Sequence, residues 1–241
     1  MEFRLLRADE IDCRIAMVQD WGISLLLYKD ARCDMNILDE TVGMENWQRK
    51  HELINGNLFC SVGIYVEREE HGEWVWKQDV GTESYTEKEK GQASDSFKRA
   101  CFNLGIGREL YTAPAMFVDK KNLKKHYEYQ GKWYCKDRFQ VTGIEYVGRR
   151  ITKVDVLNES TGKMLIFGEP ASEKEKTEDV KKQKIGKVKG EAIVSMLTKA
   201  GQSVDAFLKH FGVEDPADLT EEQHLEIVKG LEQRNGDKGK N

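Results

Sequence analysis

The sequence lacks the motifs on which nucleotide- and metal-dependent enzymes commonly rely. The segment nearest to a phosphate-binding loop, Gly162-Lys163-Met164, has neither the leading glycine nor the hydroxyl residue that would hold magnesium. Gly105-Ile106-Gly107 looks like the start of a dinucleotide loop, but it follows a predicted helix instead of opening one. The five histidines are scattered, and no carboxylate cluster offers a metal site. We therefore expect no catalytic residue, no metal and no cofactor.

Cysteines are few, and long apolar runs are missing. An odd number of widely spaced cysteines argues against a disulfide framework or a zinc site, and reduced thiols are the simpler expectation. No apolar run approaches the roughly 18 residues of a membrane span. The first ten residues carry charges too early for a signal peptide. These features predict a cytoplasmic protein. The cysteines are Cys13, Cys33, Cys60, Cys101 and Cys135.

Positive charge is concentrated in the middle of a chain whose formal net charge is −4. Residues 97–153 contain 13 Lys/Arg and 5 Asp/Glu, whereas residues 1–96 contain 11 and 20. A local basic region can attract a polyanion even when the whole protein is mildly acidic. The alternative is a solvated basic face without a partner, and the count alone does not separate the two.

The hydrophobic pattern predicts an α+β fold, with an antiparallel sheet packed on one main helix. Residues 58–67 alternate apolar and polar positions, and Trp74 to Val80 returns as a partner strand. Residues 87–104 carry one apolar stripe at helical spacing. Further strands are predicted at 23–28, 139–147, 150–157 and 163–167, and a helix at 34–42.

Four segments follow from this pattern. We predict one α+β domain over residues 1–168 and a charged linker over 169–190. A helical module of three short helices is predicted over 191–232, with Thr220 to Gln223 as a capping box. Residues 233–241 are predicted to be a disordered tail.

The main helix carries the residues of greatest functional interest. Lys98, Arg99 and Phe102 cluster opposite the apolar stripe, so two cations flank an aromatic ring. This arrangement suits a phosphate backbone, with the ring free to stack on a base or to meet a neighbouring subunit. The plainer interpretation is a solvated Lys/Arg pair beside a partly covered phenylalanine.

Several blocks of the sequence resemble the Rad fifty-two family of single-strand annealing proteins. Ser94-Asp95-Ser96-Phe97-Lys98-Arg99-Ala100, followed by Leu104-Gly105, is similar to the family signature Thr-Asp-Gly-Leu-Lys-Arg-Ala. Asn36 to Glu40 with Gly43 and Trp47, and Asp79-Val80-Gly81, resemble further family blocks in the same order. The sequence of these blocks is most similar to phage-encoded members of the Sak and DdrA-like types. The resemblance covers roughly residues 8–118.

The resemblance implies a ring of identical subunits with single-stranded DNA in a basic groove, its bases outward. In that family the Lys-Arg pair lines the groove, and it maps onto Lys98 and Arg99. A basic residue near the first helix also contributes, and Arg32 lies one position away from it. This sequence departs from the family where Phe102 replaces an arginine and where Met44 replaces an aromatic residue before Trp47.

We therefore predict ATP-independent binding and annealing of single-stranded DNA in recombination and repair. Lys29, Arg32 and Arg108 are expected to extend the groove of Lys98 and Arg99, and Trp74, Trp76 and Phe102 to stack on bases or join subunits. Host single-strand-binding protein or a phage exonuclease is the expected partner of the C-terminal module. A DNA-end protector without annealing activity uses the same groove, and a nuclease would need paired acidic residues that we do not find.

Overall fold

The computed structural model describes residues 1–68, 71–82, 88–170 and 172–237. The chain divides into two compact units, residues 1–170 and 171–241. The first unit mixes helices with antiparallel strands, which confirms the predicted α+β class. No helix in the described ranges is long and apolar enough to cross a membrane.

In the described part of the first unit, one helix lies between two strands and a group of three, and a second helix separates those three from six further strands. In chain order the elements are β1 (Asp12–Gln19), β2 (Gly22–Tyr28), α1 (Ala31–Val42), β3 (Trp47–Ile54), β4 (Asn57–Val66), β5 (Glu73–Val80), α2 (Lys88–Leu104), β6 (Met116–Asp119), β7 (His126–Tyr129), β8 (Lys132–Cys135), β9 (Phe139–Val147), β10 (Arg150–Asn158) and β11 (Lys163–Gly168).

The described strands form three small sheets and a separate hairpin. The sheets have the strand orders β1-β2-β6, β3-β4-β5 and β11-β10-β9, and β7 pairs with β8 alone. Our expectation of a single sheet on a helix fits only β3-β4-β5, the sheet against which α2 packs. The predicted hairpin of β4 and β5 is confirmed, with Gly63 opposite Trp76 and Val62 opposite Lys77.

Local sequence explains where the two helices lie. The Asp30 carboxylate accepts a hydrogen bond from the Cys33 amide and caps the start of α1, and Gly43, at a φ of 85°, ends it. The predicted stripe of α2 is confirmed, since Phe97, Ala100 and Cys101 are all fully buried. These side chains join Cys60 and Val62 of β4 in one apolar core.

The second unit is helical and has its own core. Its helices are α3 (Glu173–Lys182), α4 (Gly186–Lys199), α5 (Val204–Phe211) and α6 (Glu221–Asp237). The predicted capping box is present, because Thr220 and Gln223 exchange hydrogen bonds. The core consists of Ile185, Ile193, Leu197, Leu208, Leu219, Ile227 and Leu231.

Two boundaries differ from the prediction. The segment 169–190, expected to be a linker, contains α3 and the start of α4, and Ile185 within it is buried. The capping box of Ser172 and Glu175 starts α3, which explains why a charged segment without an apolar stripe is helical. The expected disordered tail, 233–241, is helical as far as Asp237, and its remainder lies outside the described residues.

Candidate nucleic-acid interface

Helix α2 is fixed to the β3-β4-β5 sheet by an aromatic and cationic layer. The Phe97 ring stacks near-parallel to Trp47, with 6.2 Å between ring centroids. The Arg49 guanidinium lies 4.6 Å from the centre of the same Phe97 ring. Trp47 also donates a hydrogen bond to the Asp39 carboxylate of α1 over 2.6 Å. Phe97 therefore faces the sheet, whereas Lys98 and Arg99, the next two residues of α2, are both partly exposed.

The end of β5 makes a close backbone approach to α2. A side-chain carbon at Gly81 would lie 2.2 Å from the Gln92 carbonyl oxygen and 2.6 Å from the Ser96 amide nitrogen, so only glycine fits there. Gln92 donates a hydrogen bond to the Gly81 carbonyl, and Thr82 donates two to the Asp95 carboxylate. These contacts set the position of α2 along the sheet.

Arg99 reaches the surface but is already paired. Its Nε donates to the Asp79 carboxylate over 3.2 Å, and 42% of the Arg99 side chain remains exposed. Asn103, one turn further along α2, donates to the same carboxylate and to the Gln78 carbonyl. Arg99 can offer its remaining guanidinium N–H groups to a phosphate only while it shares its charge with Asp79.

Lys98, unlike Arg99, has no carboxylate partner in the described part of the chain. It is partly exposed, and in the described part of the chain no side chain or carbonyl forms a hydrogen bond or ion pair with it. Its positive charge lies close enough to Asp34 to oppose the rise that burial causes in the pKa of that carboxyl group. Lys98 is therefore the cation of α2 best placed to meet a phosphate.

Lys29 is buried, so the prediction that it contacts DNA is wrong. Only 1% of the residue is exposed, and its ammonium group is paired with the Asp34 carboxylate, which is itself fully buried. The ammonium also lies 4.5 Å from the centre of the Phe102 ring. A side chain at Gly107 would collide with the Lys29 stem at 2.2 Å, so glycine leaves the space that Lys29 occupies.

The two carboxylate oxygens of Asp34 differ in their hydrogen bonding. One Asp34 oxygen accepts from Lys29, whereas Oδ2 has no hydrogen-bond partner. Burial raises the pKa of Asp34 to about 6, although the charge of Lys29 opposes that shift. Lys29 therefore serves as the counter-ion of Asp34 inside the first unit.

Arg32 remains at the surface. Its side chain is 82% exposed, and its Nε donates to Asp30 over 2.8 Å. Because a pair so exposed contributes little and exchanges readily with water, Arg32 stays available to a phosphate. The prediction that Arg32 contacts DNA stays a prediction.

Phe102 does not point into solvent as expected. It is partly buried between the Lys29 ammonium and the Tyr111 ring, which meets it edge-on with 5.3 Å between centroids. The helical wheel places Phe102 opposite the sheet, but the segment after α2 folds back and covers that side. Phe102 is therefore not a free stacking platform, whereas Tyr111 is 72% exposed.

Arg108 is exposed and caps the end of α2. Its Nε and Nη2 donate to the Phe102 carbonyl over 3.0 and 2.7 Å, and Nη2 also reaches the Asn103 carbonyl. A helix has no partner of its own for the last carbonyls at its C-terminus, where a cation is also favoured by the helix dipole. The Phe102 carbonyl also accepts from the Gly105 amide over 3.0 Å. Arg108 borders a cavity of about 370 Å³ that Arg149 and the buried Glu109 also line.

Trp74 and Trp76 lie together on the outer face of β5. Their ring centroids are 6.0 Å apart, and 38% and 40% of their surfaces are exposed. Tyr65 meets Trp74 edge-on, and the Lys50 ammonium lies 5.4 Å from the Trp76 ring centre. The pair is therefore accessible either to a base or to another subunit.

The structure thus brings Lys98 and Arg99 together at the surface and removes Lys29 and Phe102 from it. Sequence reasoning missed Asp79 as the partner of Arg99, although both lie in blocks that carry the family resemblance. Among the described residues, no group of three or more His, Cys, Asp or Glu side chains could hold a metal ion. All five cysteines are free thiols.

Comparison of the chain with protein-family models, with curated proteins and with solved structures finds no match.

Proposed function

We propose that this protein binds single-stranded DNA through the outward face of α2 and anneals complementary strands without ATP. One observation carries the proposal. The separate sequence blocks that resemble the Rad fifty-two family pack on one another around α2. Trp47 stacks on Phe97, Gly81 abuts the backbone at Ser96, and Asp79 pairs with Arg99.

This arrangement supports strand holding in physical terms. Contacts with the sheet hold α2 in place, so Lys98 and Arg99 stand next to each other at the surface. Cations that neutralise phosphates reduce the repulsion between two approaching strands, and the bases remain free to pair. Annealing forms no covalent bond, so the proposed role is that of a binder and not of an enzyme. By resemblance, we place this activity in phage recombination in the cytoplasm of a bacterial host.

We further propose that the protein acts as a homo-oligomeric ring. Trp74 and Trp76 lie on β5, an edge strand of its sheet, and both rings are exposed. Large exposed apolar groups commonly mark interfaces. Light scattering at micromolar concentration, with and without DNA, measures the mass of the assembly, and a monomer under both conditions overturns this part of the proposal.

A strand-annealing assay tests the central proposal. Two complementary oligonucleotides, one carrying a fluorophore and the other a quencher, are mixed without ATP or divalent metal. We expect the wild-type protein to accelerate quenching and the double variant Lys98→Gln/Arg99→Gln to lose most of this acceleration. Lys187→Gln/Lys209→Gln, which removes two exposed lysines of the second unit, is the charge-matched control. Tight binding without acceleration would instead identify a protector of DNA ends.

A further inference from the structure

Most of the positive charge of the basic middle segment lies outside α2. Between residues 120 and 138 the chain carries seven Lys/Arg and two Asp/Glu. This stretch includes the β7–β8 hairpin, which pairs with none of the three sheets. Its turn residues, Gln130 and Gly131, both have positive φ, as a two-residue hairpin turn of type I′ requires.

The two faces of this hairpin differ sharply in composition. Tyr127 is directly opposite Tyr134, and Tyr129 is opposite Lys132. The Lys136 amide donates to the Lys125 carbonyl, which continues the ladder by one more pair. Because opposite residues share a face, one face of the hairpin consists of Lys125, Tyr127, Tyr129, Lys132, Tyr134 and Lys136.

The other face attaches the hairpin to the first unit. The His126 ring stacks on Trp133 with 4.9 Å between centroids, and its Nε2 lies 2.7 Å from the Gln19 carbonyl of β1. At the base of the hairpin, the Asp137 carboxylate accepts hydrogen bonds from the amides of Lys124 and Lys125. The lysine–tyrosine face is therefore the one directed away from these attachments.

All six residues of this face are exposed. The Tyr127 and Tyr134 rings lie near-parallel, 5.8 Å apart, and each residue is 39% exposed, whereas Tyr129 is 60% exposed. The Lys136 ammonium lies 5.8 Å from the centre of the Tyr127 ring. In the described ranges, no carboxylate forms an ion pair with Lys125, Lys132 or Lys136. Lys125 is close enough to Asp137 to help lower the pKa of that carboxyl group. A ring surface interleaved with three lysines is complementary to a flexible polyanion that carries flat aromatic groups.

We propose that this face is a second contact surface for single-stranded nucleic acid, in which bases stack on the tyrosines while the lysines pair with phosphates. The inference rests on the proposed function, because it assumes that the ligand of α2 is such a strand. Stacking on aromatic rings tolerates any base, and it requires the base itself, whereas lysine contacts require only the phosphates. The hairpin would thus hold bases by their faces and leave their pairing edges accessible.

Two probes separate these contributions in the full-length protein. One is a fluorescein-labelled oligothymidylate, and the other is an abasic oligomer of equal length with the same phosphates and no bases. Fluorescence anisotropy is measured over a range of salt concentrations. We expect Tyr127→Leu/Tyr134→Leu to weaken oligothymidylate binding about tenfold or more and to leave abasic binding unchanged. Tyr28→Leu removes a similarly exposed tyrosine, 37%, from β2 and is expected to change neither.

The lysines give a different signature. Lys125→Gln/Lys132→Gln/Lys136→Gln is expected to weaken binding of both probes and to lower the slope of log affinity against log salt by about 2, since each phosphate contact contributes about 0.7 on a single strand. Tyr127→Phe/Tyr134→Phe keeps the rings and should retain the preference for bases, which controls for misfolding of the leucine variant.

Three outcomes overturn the proposal in distinguishable ways. If the wild-type protein binds neither probe, the proposed function fails together with this inference. If it binds oligothymidylate but the leucine and glutamine variants match it, only the hairpin is excluded. If the lysine variant weakens both probes and the leucine variant weakens neither, the hairpin is a cationic surface suited to other polyanions, such as an acidic peptide, and base stacking is wrong.

Discussion

Arg99 and Asp79 form an ion pair that ties the outward face of α2 to the end of β5, with 3.2 Å between Nε and Oδ1. Its neighbour Lys98 has no such partner in the described ranges. The two cations of the family-like pair are therefore not equivalent. Lys98 can meet a phosphate directly, whereas Arg99 has to divide its guanidinium between a phosphate and its carboxylate.

This inequality predicts the effect of removing the carboxylate charge. Asp79→Asn releases Arg99, so we expect affinity for single-stranded DNA to rise, most clearly at low salt where phosphate contacts are strongest. The free energy of unfolding should fall by about 1 kcal/mol or less, since the pair is partly exposed. Anisotropy titrations and urea unfolding measure the two effects. A fall in affinity would show that Asp79 positions Arg99 for DNA instead of competing for it.

Lys29 gives the opposite kind of prediction, in which stability changes and DNA contact does not. Lys29→Met leaves the buried Asp34 carboxylate without a counter-ion, and breaking a buried pair on one side costs about 3–5 kcal/mol. The double variant Lys29→Met/Asp34→Leu should recover much of this loss, because both charges are removed together. Urea unfolding of the three proteins gives the comparison. Equal instability of the single and double variants would mean that packing around Phe102 and Gly107, and not charge, is what Lys29 provides.

Lys98 lies at the surface as the sequence predicts, whereas Lys29 is buried against the prediction. The two lysines show which features of the fold can be predicted from the sequence. Helical and alternating patterns placed α1, α2, the β4–β5 hairpin and strands β9 to β11, because one buried face imposes its period on the sequence. The period does not reveal what covers the opposite face. The segment that carries Tyr111 folds over Phe102, and Lys29 is buried beside it, so both were assigned to solvent in error.

Periodicity could not predict a strand that lacks a regular buried face. Strand β3 has no alternation of burial, since seven of its eight residues are exposed, and it was not predicted. The lysine–tyrosine alternation of β7 and β8 was visible in the sequence. It became informative only when the pairing of Tyr127 with Tyr134 put all six residues on one face.

Asp137 predicts a pH dependence at the base of the hairpin. Burial by itself would raise the pKa of this carboxyl group, but hydrogen bonds from Asn158 and from the amides of Lys124 and Lys125 outweigh it and lower the pKa below the ordinary value. Stability from this group is present above the ordinary pKa of 3.8 and is lost as the pH falls through the lower, folded value.

The pH dependence is isolated by comparing the wild-type protein with Asp137→Asn. The asparagine keeps the size of the side chain and cannot ionise, so the variant should be less stable at neutral pH. The gap in the free energy of unfolding between the two proteins should narrow as the pH falls below 3.8. A gap that is constant from neutral to acidic pH would show that the ionised state of Asp137 does not matter.

Arg108 is expected to act mainly as a helix cap. Replacing it with alanine removes the donors to the Phe102 and Asn103 carbonyls, and we expect a loss of about 1 kcal/mol in the free energy of unfolding. If Arg108 contacts no phosphate, the salt dependence of DNA binding should be unchanged. If the variant instead lowers the slope of log affinity against log salt by about 0.7, Arg108 contacts a phosphate.

The second unit is predicted to recruit a protein and not to bind the strand. Residues 171–241 hold 13 Lys/Arg and 14 Asp/Glu, so the second unit has no excess of cations to neutralise phosphates. The unit buries its own set of apolar residues, Ile193 and Leu197 among them, and exposes others, such as Val188 and Leu225. If the first unit binds DNA as proposed, a second unit joined to it by the chain raises the local concentration of a captured partner at the strand. Host single-strand-binding protein or a companion exonuclease is the proposed partner.

Deleting residues 171–241 should leave annealing of naked oligonucleotides intact and abolish it on strands coated with single-strand-binding protein. If the truncated chain instead loses ring assembly or the annealing of naked strands, the second unit stabilises the first, and the docking role is wrong.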